Sequence, residues 1–273
     1  MALWIADEER GLMRPPREAP LCARPLSLCA CGSAVVCACA HGACVYAADT
    51  CAPLAEYPLP PAVRCMCALP GALYALSGEA DSLSLFCPLT GRLRLCARVG
   101  CDPRDAQLSP DGRLLAVAGG AAGQVYLLSS RDLRTLRSIP LPGVVGAACF
   151  SGAALLAFCA EGDSEIHSCL YHISVRGVVR EVLRRPGLPG ALLALPDGSV
   201  LAGVLGELLH LRADGRVLGR ARCGLPARLR LMQGCALCAD PLDGRVLRLS
   251  PREMRCDTIW QGESPADALM CNL

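Results

Sequence analysis

Apolar and polar positions fall in blocks along this chain, and the blocks recur about every 40 residues. The clearest block is LSPDGRLLAVAGGAAGQVYLLSSRDLRTLRSIPLPG, residues 108–143. It reads as strand, tight turn, strand, small loop, strand, turn and strand. Pro110-Asp111-Gly112 suits a chain reversal, because proline presets its own φ and glycine accepts a positive one. Apolar runs follow at 114–117 and 124–128. The same phase places glycine at the first turn in Gly32, Gly71, Gly112, Gly152, Gly198 and Gly234, at intervals of 39, 41, 40, 46 and 36 residues. One apolar stretch follows each glycine, at 35–40, 72–76, 114–117, 154–159, 200–205 and 235–239. A second comes at 43–47, 82–86, 124–128, 167–172, 208–211 and 246–249. A hairpin turn then leads to an arginine-bearing strand, and Thr90-Gly91 and Asp214-Gly215 suit that turn.

Four short strands in about 40 residues predict a β-propeller blade. The inner and middle strands of a blade are covered on both faces by neighbouring blades. They should therefore read as continuous apolar runs, as these do, rather than as strict alternation. The outermost strand is an open edge and needs charge to stop pairing with other molecules. Arg131, Arg134, Arg137, Arg180, Arg184, Arg216, Arg220 and Arg222 fall on these outer strands or on the turns entering them. The ends predict ring closure. SPADALMCNL resembles a first strand, and ALWIADEERGLMRPP resembles a third strand, turn and fourth strand, by comparison with VYAADTCAPLAEYPLP. The expectation is one all-β domain over 1–273, with a closing blade from 1–25 and 264–273 that lacks a clear second strand. That gives seven four-stranded blades, with six plus an irregular closure as the alternative count.

The segment SPDGRLLAVAGGAAGQVYLLSS resembles the YVTN-type repeat of bacterial seven-bladed propellers, including the lactonase-like propellers. The pattern recurs more weakly as LPDGSVLAGVLGELLHL at 195–211. The WD-repeat signature is missing, since Trp4 and Trp260 are the only tryptophans and neither sits in the expected dipeptide. The resemblance implies a seven-bladed ring and allows hydrolysis of a sugar lactone, without assigning catalytic residues here.

Composition changes the picture in two ways. The chain is 53% apolar and 19% charged with a net charge of +2, which excludes a disordered chain and a dedicated nucleic-acid binder. All 27 basic residues are arginine and 20 residues are cysteine, in the manner of a GC-rich coding bias. MALWIADEERG has no basic leader and too short an apolar run for a signal peptide, so a reducing, cytoplasmic setting with free thiols is expected. Free cysteine behaves as a small apolar residue. Residues 25–48 carry no formal charge and are long enough to span a bilayer. Pro25, Gly32, His41 and Gly42 interrupt them in phase with the blades, so buried strands are expected and no membrane partner.

Candidate chemistry is sparse. Cys29/Cys31, Cys37/Cys39 and Cys65/Cys67 are pairs two apart, which share a strand face. A soft metal needs about four converging ligands. The pairs alone do not supply them, so no metal and no cofactor is expected. Cys235 and Cys238 form the single CxxC, on a predicted strand that sends them to opposite faces. DPLDG at 240–244 lacks the ligand pattern of a calcium loop. No metalloprotease, esterase or phosphate-loop motif is present. Loops between second and third strands, and approaches to first strands, gather on one face of a propeller. Here the loops carry His41, Glu79, Asp81, Glu161, Asp163, Glu165, Glu207, Asp240 and Asp243. The approaches carry Arg64, Arg104, Asp105, Gln107, Arg228, Arg230 and Asp267. Arginine near the axis grips carboxylate or phosphate bidentately. Arg64, Arg104, Arg228, His41 and Glu161 are therefore the ligand-binding candidates. The expected function is a non-catalytic binding or scaffold propeller, monomeric, presenting this face to a protein or a small polar or anionic ligand. The alternative is a lactonase-like hydrolase with the same arginines holding substrate and His41 or Glu161 as base.

Overall fold

In the computed structural model, residues 2–15, 21–232 and 234–271 are described, and every regular element among them is a strand. The chain opens with β1 (Ala2–Asp7) and β2 (Gly11–Met13). Blade 1 then comprises β3 (Pro25–Cys31), β4 (Ala34–Cys39), β5 (Gly42–Ala47) and β6 (Pro53–Tyr57). Blade 2 holds β7 (Val63–Leu69), β8 (Ala72–Ser77), β9 (Ser82–Phe86) and β10 (Leu93–Arg98). Blade 3 holds β11 (Asp105–Leu108), β12 (Leu114–Ala118), β13 (Gln124–Ser129) and β14 (Thr135–Pro140). Blade 4 holds β15 (Val144–Ser151), β16 (Ala154–Glu161), β17 (His167–Ile173) and β18 (Val179–Pro186). Blade 5 holds β19 (Pro189–Ala194), β20 (Val200–Val204), β21 (Glu207–Leu211) and β22 (Val217–Arg222). Blade 6 holds β23 (Arg228–Met232), β24 (Cys235–Asp240), β25 (Arg245–Ser250) and β26 (Arg255–Gln261). The last strand, β27 (Pro265–Cys271), pairs with β1, and β1 with β2, to make blade 7. The protein is a seven-bladed β-propeller, closed by its two ends.

The turns form as their residues dictate. Gly112 has φ +69°, and its N–H donates to the Ser109 carbonyl (2.8 Å). The Ser109 hydroxyl donates to Asp111 (2.6 Å) and accepts from the Leu114 N–H (2.9 Å), so Ser109 and Asp111 lock the reversal between β11 and β12. The second strands β8 and β20 are buried at every position. The outer strand β22 shows every second residue to solvent, and β10 exposes nearly all of its length. The uncharged stretch 25–48 forms β3, β4 and β5, and no helix of the structure is long and apolar enough to cross a membrane.

The core is divided among the seams. Seven apolar clusters each join two adjacent blades. The seam between blades 7 and 1 packs Trp4, Leu12 and Leu269 against Val35, Cys37 and Tyr46, with the Trp4 and Tyr46 rings 6.0 Å apart. The seam between blades 6 and 7 buries Ile5 and Ala268 against Leu237 and Val246.

The closing blade corrects the sequence reading in one respect. The amino-terminal strand β1 takes the second position, beside β27, and not the third. The second strand expected to be missing is therefore present. The fourth position is held by the segment at 21–22, where the Cys22 carbonyl accepts from the Leu12 N–H (2.8 Å) and the Leu21 N–H donates to the Leu12 carbonyl (2.7 Å). Residues 1, 16–20 and 272–273 of the expected closing segments lie outside the described residues. Asp7 ends β1 and is fully buried. Its carboxylate accepts N–H bonds from Glu9 and Arg10 in its own turn (3.0 and 2.8 Å) and from Glu263 and Ser264 entering β27 (3.1 and 3.2 Å). Asp240 does the same in blade 6, accepting from Gly224, Leu225 and Asp243 (2.7, 2.9 and 3.3 Å).

Removing the Asp7 carboxylate leaves four part-buried N–H groups without their acceptor. Asp7→Ala is expected to lower the unfolding free energy by about 3 kcal/mol. The exposed neighbour Glu8→Ala should stay within about 0.5 kcal/mol of wild type. Urea unfolding followed by fluorescence of Trp4 and Trp260 measures both; equal stabilities for the two variants would refute the role given to Asp7.

Candidate functional site

The first strands of the blades surround a cavity of about 720 Å³ on the ring axis. Residues two apart share a strand face. That spacing brings Asp105 and Gln107 to it from β11, Arg228 and Arg230 from β23, and Cys65 and Cys67 from β7. Two polar systems cross or flank the bore. Arg228, on blade 6, reaches blade 3, where its guanidinium lies 3.2 Å from Asp105, and it also donates to the Arg64 carbonyl on blade 2. Gln107 donates to the Leu192 carbonyl of blade 5 (3.0 Å). These bonds span the axis and fix the side chains deep in the channel.

Arg230 turns to the closing seam. Its Nε and one terminal nitrogen donate to the two carboxylate oxygens of Asp267 (2.8 and 2.5 Å), and it donates as well to the Leu28 carbonyl. Asp267 also accepts from the Leu28 N–H (2.9 Å), the Ser27 hydroxyl (3.3 Å) and the Ala268 N–H (2.9 Å). Burial alone would push the Asp267 carboxyl up. The Arg230 guanidinium and these donors outweigh it and hold the group below the usual carboxylate range. Burial opposes the charge on Arg230 in turn, yet the facing carboxylate raises it above its ordinary value.

The rim is built differently. Arg104 donates from Nε and a terminal nitrogen to one oxygen of Asp102 (3.0 and 2.7 Å), and Arg64 lies 3.5 Å from the other oxygen. Asp102 has φ +52°, and its N–H donates to Asp81 (2.9 Å). Gly78 leaves room for Arg64, since a Cβ there would fall 2.6 Å from its Nε. Both guanidinium side chains keep about half their surface open, 55% for Arg64 and 51% for Arg104.

Arg64, Arg104 and Arg228 therefore line one cavity. His41 and Glu161 do not. His41 is exposed in the turn between β4 and β5. Glu161 ends β16 and faces outward, where it accepts from Arg184 (2.8 Å) and from the Tyr171 hydroxyl. Among the described residues no histidine lines the cavity. Ser199, His210 and Asp197 meet in blade 5, with the serine 2.8 Å from the His210 ring and 2.6 Å from Asp197. Here the aspartate binds the serine, not the histidine, which is not the order of a catalytic triad. Asp102 was missed by sequence reasoning. The Asp102-Pro103 step, which breaks the chain just before β11, was the available signal.

Comparison with known proteins adds the fold and nothing finer. A scan against protein-family models finds no match, and a search of curated proteins finds none. Among solved structures the chain is similar to the computationally designed Ika8 protein, with a TM-score of 0.68 at 14% identity over 89% of this chain and 76% of that one. It is also similar to the hydrazine synthase of Kuenenia stuttgartiensis, with a TM-score of 0.66 at 18% identity over 82% of this chain and 76% of that one.

The lowered Asp267 carboxyl links stability to pH. A carboxylate depressed in the fold stabilises it above the unfolded value of about 3.9, and that contribution fades as pH falls through the folded value. Asp267→Asn leaves Arg230 without its counter-charge and is expected to cost about 3–5 kcal/mol near neutral pH. The gap between wild type and variant should narrow on acidification below the unfolded value. A gap in urea-unfolding free energy that is constant with pH would contradict this pairing.

Proposed function

We propose that this propeller is a non-catalytic binding module that takes a small anionic ligand, a carboxylate or phosphate, at the rim of its central channel. One observation carries the reading: Arg64 and Arg104 share the single carboxylate of Asp102 and remain half open above the cavity. Both guanidiniums are held on Asp102, whose N–H in turn binds Asp81, and each keeps donors open to a ligand. Their planar forks match the oxygen spacing of carboxylate and phosphate. Arg104 is already oriented by two bonds to Asp102, which reduces the ordering cost of binding.

The lactone-hydrolase alternative needs a group free to take a proton beside the bound substrate. No histidine among the described residues lines the cavity, Asp105 is engaged by Arg228, and the other lining carboxylate, Glu8, is exposed to solvent. The absence of a histidine and the engagement of Asp105 favour binding over turnover. Within the propellers, the segments at 109–130 and 195–211 support a YVTN-type repeat. The proposal is a monomer acting in the cytoplasm, where unpaired thiols persist, without nucleic acid or membrane as partner. The near-balanced charge of +2 supports that choice.

Titration calorimetry with inorganic phosphate and with citrate tests the reading. Binding is expected for at least one of them, weakening as salt is added. Arg64→Ala and Arg104→Ala should each weaken it about tenfold, or about 1.4 kcal/mol. Absence of heat with both anions at millimolar concentration, or affinities unchanged in both variants, would discard the rim as the site. Enzyme-dependent opening of a sugar lactone would favour the hydrolase instead.

A further inference from the structure

The rim that carries Arg64 and Arg104 faces a wall of opposite character. In the ring of seven, blade 6 stands across the axis from blades 2 and 3. Arg228 measures the gap, since its one side chain reaches from β23 to Asp105 and to the Arg64 carbonyl. On the blade 6 side the cavity is lined by Leu225, Ala227 and Pro241, all half-buried. Pro189 of blade 5 and Ala266 of blade 7, also half-buried, flank them.

This wall offers apolar contact and has already used its hydrogen bonds. The Leu225 N–H donates to the buried Asp240 carboxylate (2.9 Å), and the Ala227 N–H donates to the Ala239 carbonyl (2.9 Å). The Pro226 carbonyl accepts from the Ala191 N–H (2.7 Å). Pro189, Pro226 and Pro241 have no N–H to give. Asp240 also takes the N–H groups of Gly224 and Asp243 (2.7 and 3.3 Å), which fixes the loop bearing Pro241 beside the segment bearing Leu225. The cations of blade 6 are occupied, Arg228 by Asp105 and Arg230 by Asp267. The remaining charge next to this wall is Glu8, exposed in the turn between β1 and β2.

A polar group pressed against such a wall loses water and gains no donor. An apolar group placed there is stabilised by leaving water. A second negative charge meets Glu8 and is repelled. We propose that the ligand of the channel mouth is a monocarboxylate with an apolar body. Its carboxylate sits on Arg64 and Arg104, and its body crosses the mouth to Leu225, Ala227 and Pro241. The inference rests on the rim reading and narrows it from small anions to amphipathic acids. Phosphate has no body to offer the wall, and citrate carries carboxylates at both ends. The reach of Arg228 sets the scale: a straight-chain acid the length of hexanoate spans the mouth.

Calorimetric titration with butyrate, hexanoate, octanoate and inorganic phosphate is the test. Affinity is expected to rise by up to about fourfold for each methylene laid on the wall, making octanoate at least about tenfold tighter than butyrate. Arg104→Ala should weaken octanoate about tenfold. Leu225→Ser and Pro241→Ser should each cut the octanoate-to-butyrate affinity ratio at least about threefold. Taking the ratio within each variant cancels any general loss of binding, and thermal melts establish which variants are folded. Leu136→Ser, on the exposed outer strand β14, should keep the wild-type ratio. If the acids and phosphate bind alike and all depend on Arg104, the rim reading stands and the amphipathic ligand is overturned. A ratio unchanged in folded Leu225→Ser and Pro241→Ser overturns it as well. If no anion binds, or octanoate binds equally well without Arg104, both readings fall.

Discussion

Asp267, wholly buried on the closing strand, bonds to all three blades that meet at the ends of the chain. It sits on blade 7, takes two bonds from Arg230 of blade 6, and takes the Leu28 N–H and Ser27 hydroxyl of blade 1. A propeller needs such a tie because its core is not one mass but a set of seams. Each seam buries apolar surface only while its two blades face each other. Opening the ring at one point would uncover Trp4, Ile5 and Leu12, which are completely buried by contacts on both sides of blade 7. The register of β1 on β27, from Ala2 opposite Cys271 to Asp7 opposite Pro265, brings together residues from opposite ends of the chain. Contacts so distant in sequence form late and at high entropic cost. A buried ion pair with every acceptor used, together with the Asp7 carboxylate at the same end of the pairing, where Ala6 lies opposite Asp267, gives that late pairing a single register.

The same accounting of polar groups separates the arginines of the channel into two kinds. Arg228 and Arg230 are spent on the fold: one bridges the axis to Asp105, the other neutralises Asp267. Replacing either partner strands a charge away from water, which is why such residues resist change without taking part in binding. Arg64 and Arg104 sit where the first strands emerge, and they divide one carboxylate between them. An exposed pair of this sort contributes little to stability. Its charge is available to a ligand because the fold does not consume it.

What the sequence disclosed follows from what repeats. Turn glycines such as Gly112 and Gly198 sit at positive φ in every copy, so their spacing announced the blades. The arginines of β14, β18 and β22 marked the open edges for the same reason. The closing blade was misread because two strands end alike. ALWIAD was matched to the third strand VYAAD of blade 1, whereas its true counterpart is the second strand CALCAD of blade 6. The distinguishing signal was the turn: Asp7 and Asp240 are each followed four residues later by a glycine with positive φ, Gly11 and Gly244. Asp49 is followed instead by Cys51 in the left-handed region. At the site, position in the repeat sufficed to bring Arg64, Arg104 and Arg228 to the axis. It was not sufficient for Glu161, because whether a loop carboxylate turns inward depends on its partner, and Glu161 has Arg184 and Tyr171 on its outer side. Arg228 meets Asp105 across 123 residues, a pairing that no local pattern encodes.

The cysteines show how one compositional habit yields groups of different character. Cys149 and Cys238 are enclosed in seams, and burial pushes their thiols well up. Cys159 is driven to about 12 in the same way. A thiol in that state is neutral at any physiological pH and serves as a compact apolar filler between blades. Cys22 moves in the opposite direction, because the Cys37 thiol donates to it and stabilises its anion. The difference lies in the neighbours and not in the residue. Where a cysteine faces valine and leucine across a seam, it packs. Where the ladder sets Cys44 against Cys37 and the chain end brings Cys22 alongside, the same residue type becomes an acceptor among donors. Thiol character in this chain is therefore set by immediate neighbours, and not at the closing seam alone: Cys31 is lowered beside Cys29, and Cys87 beside Thr90.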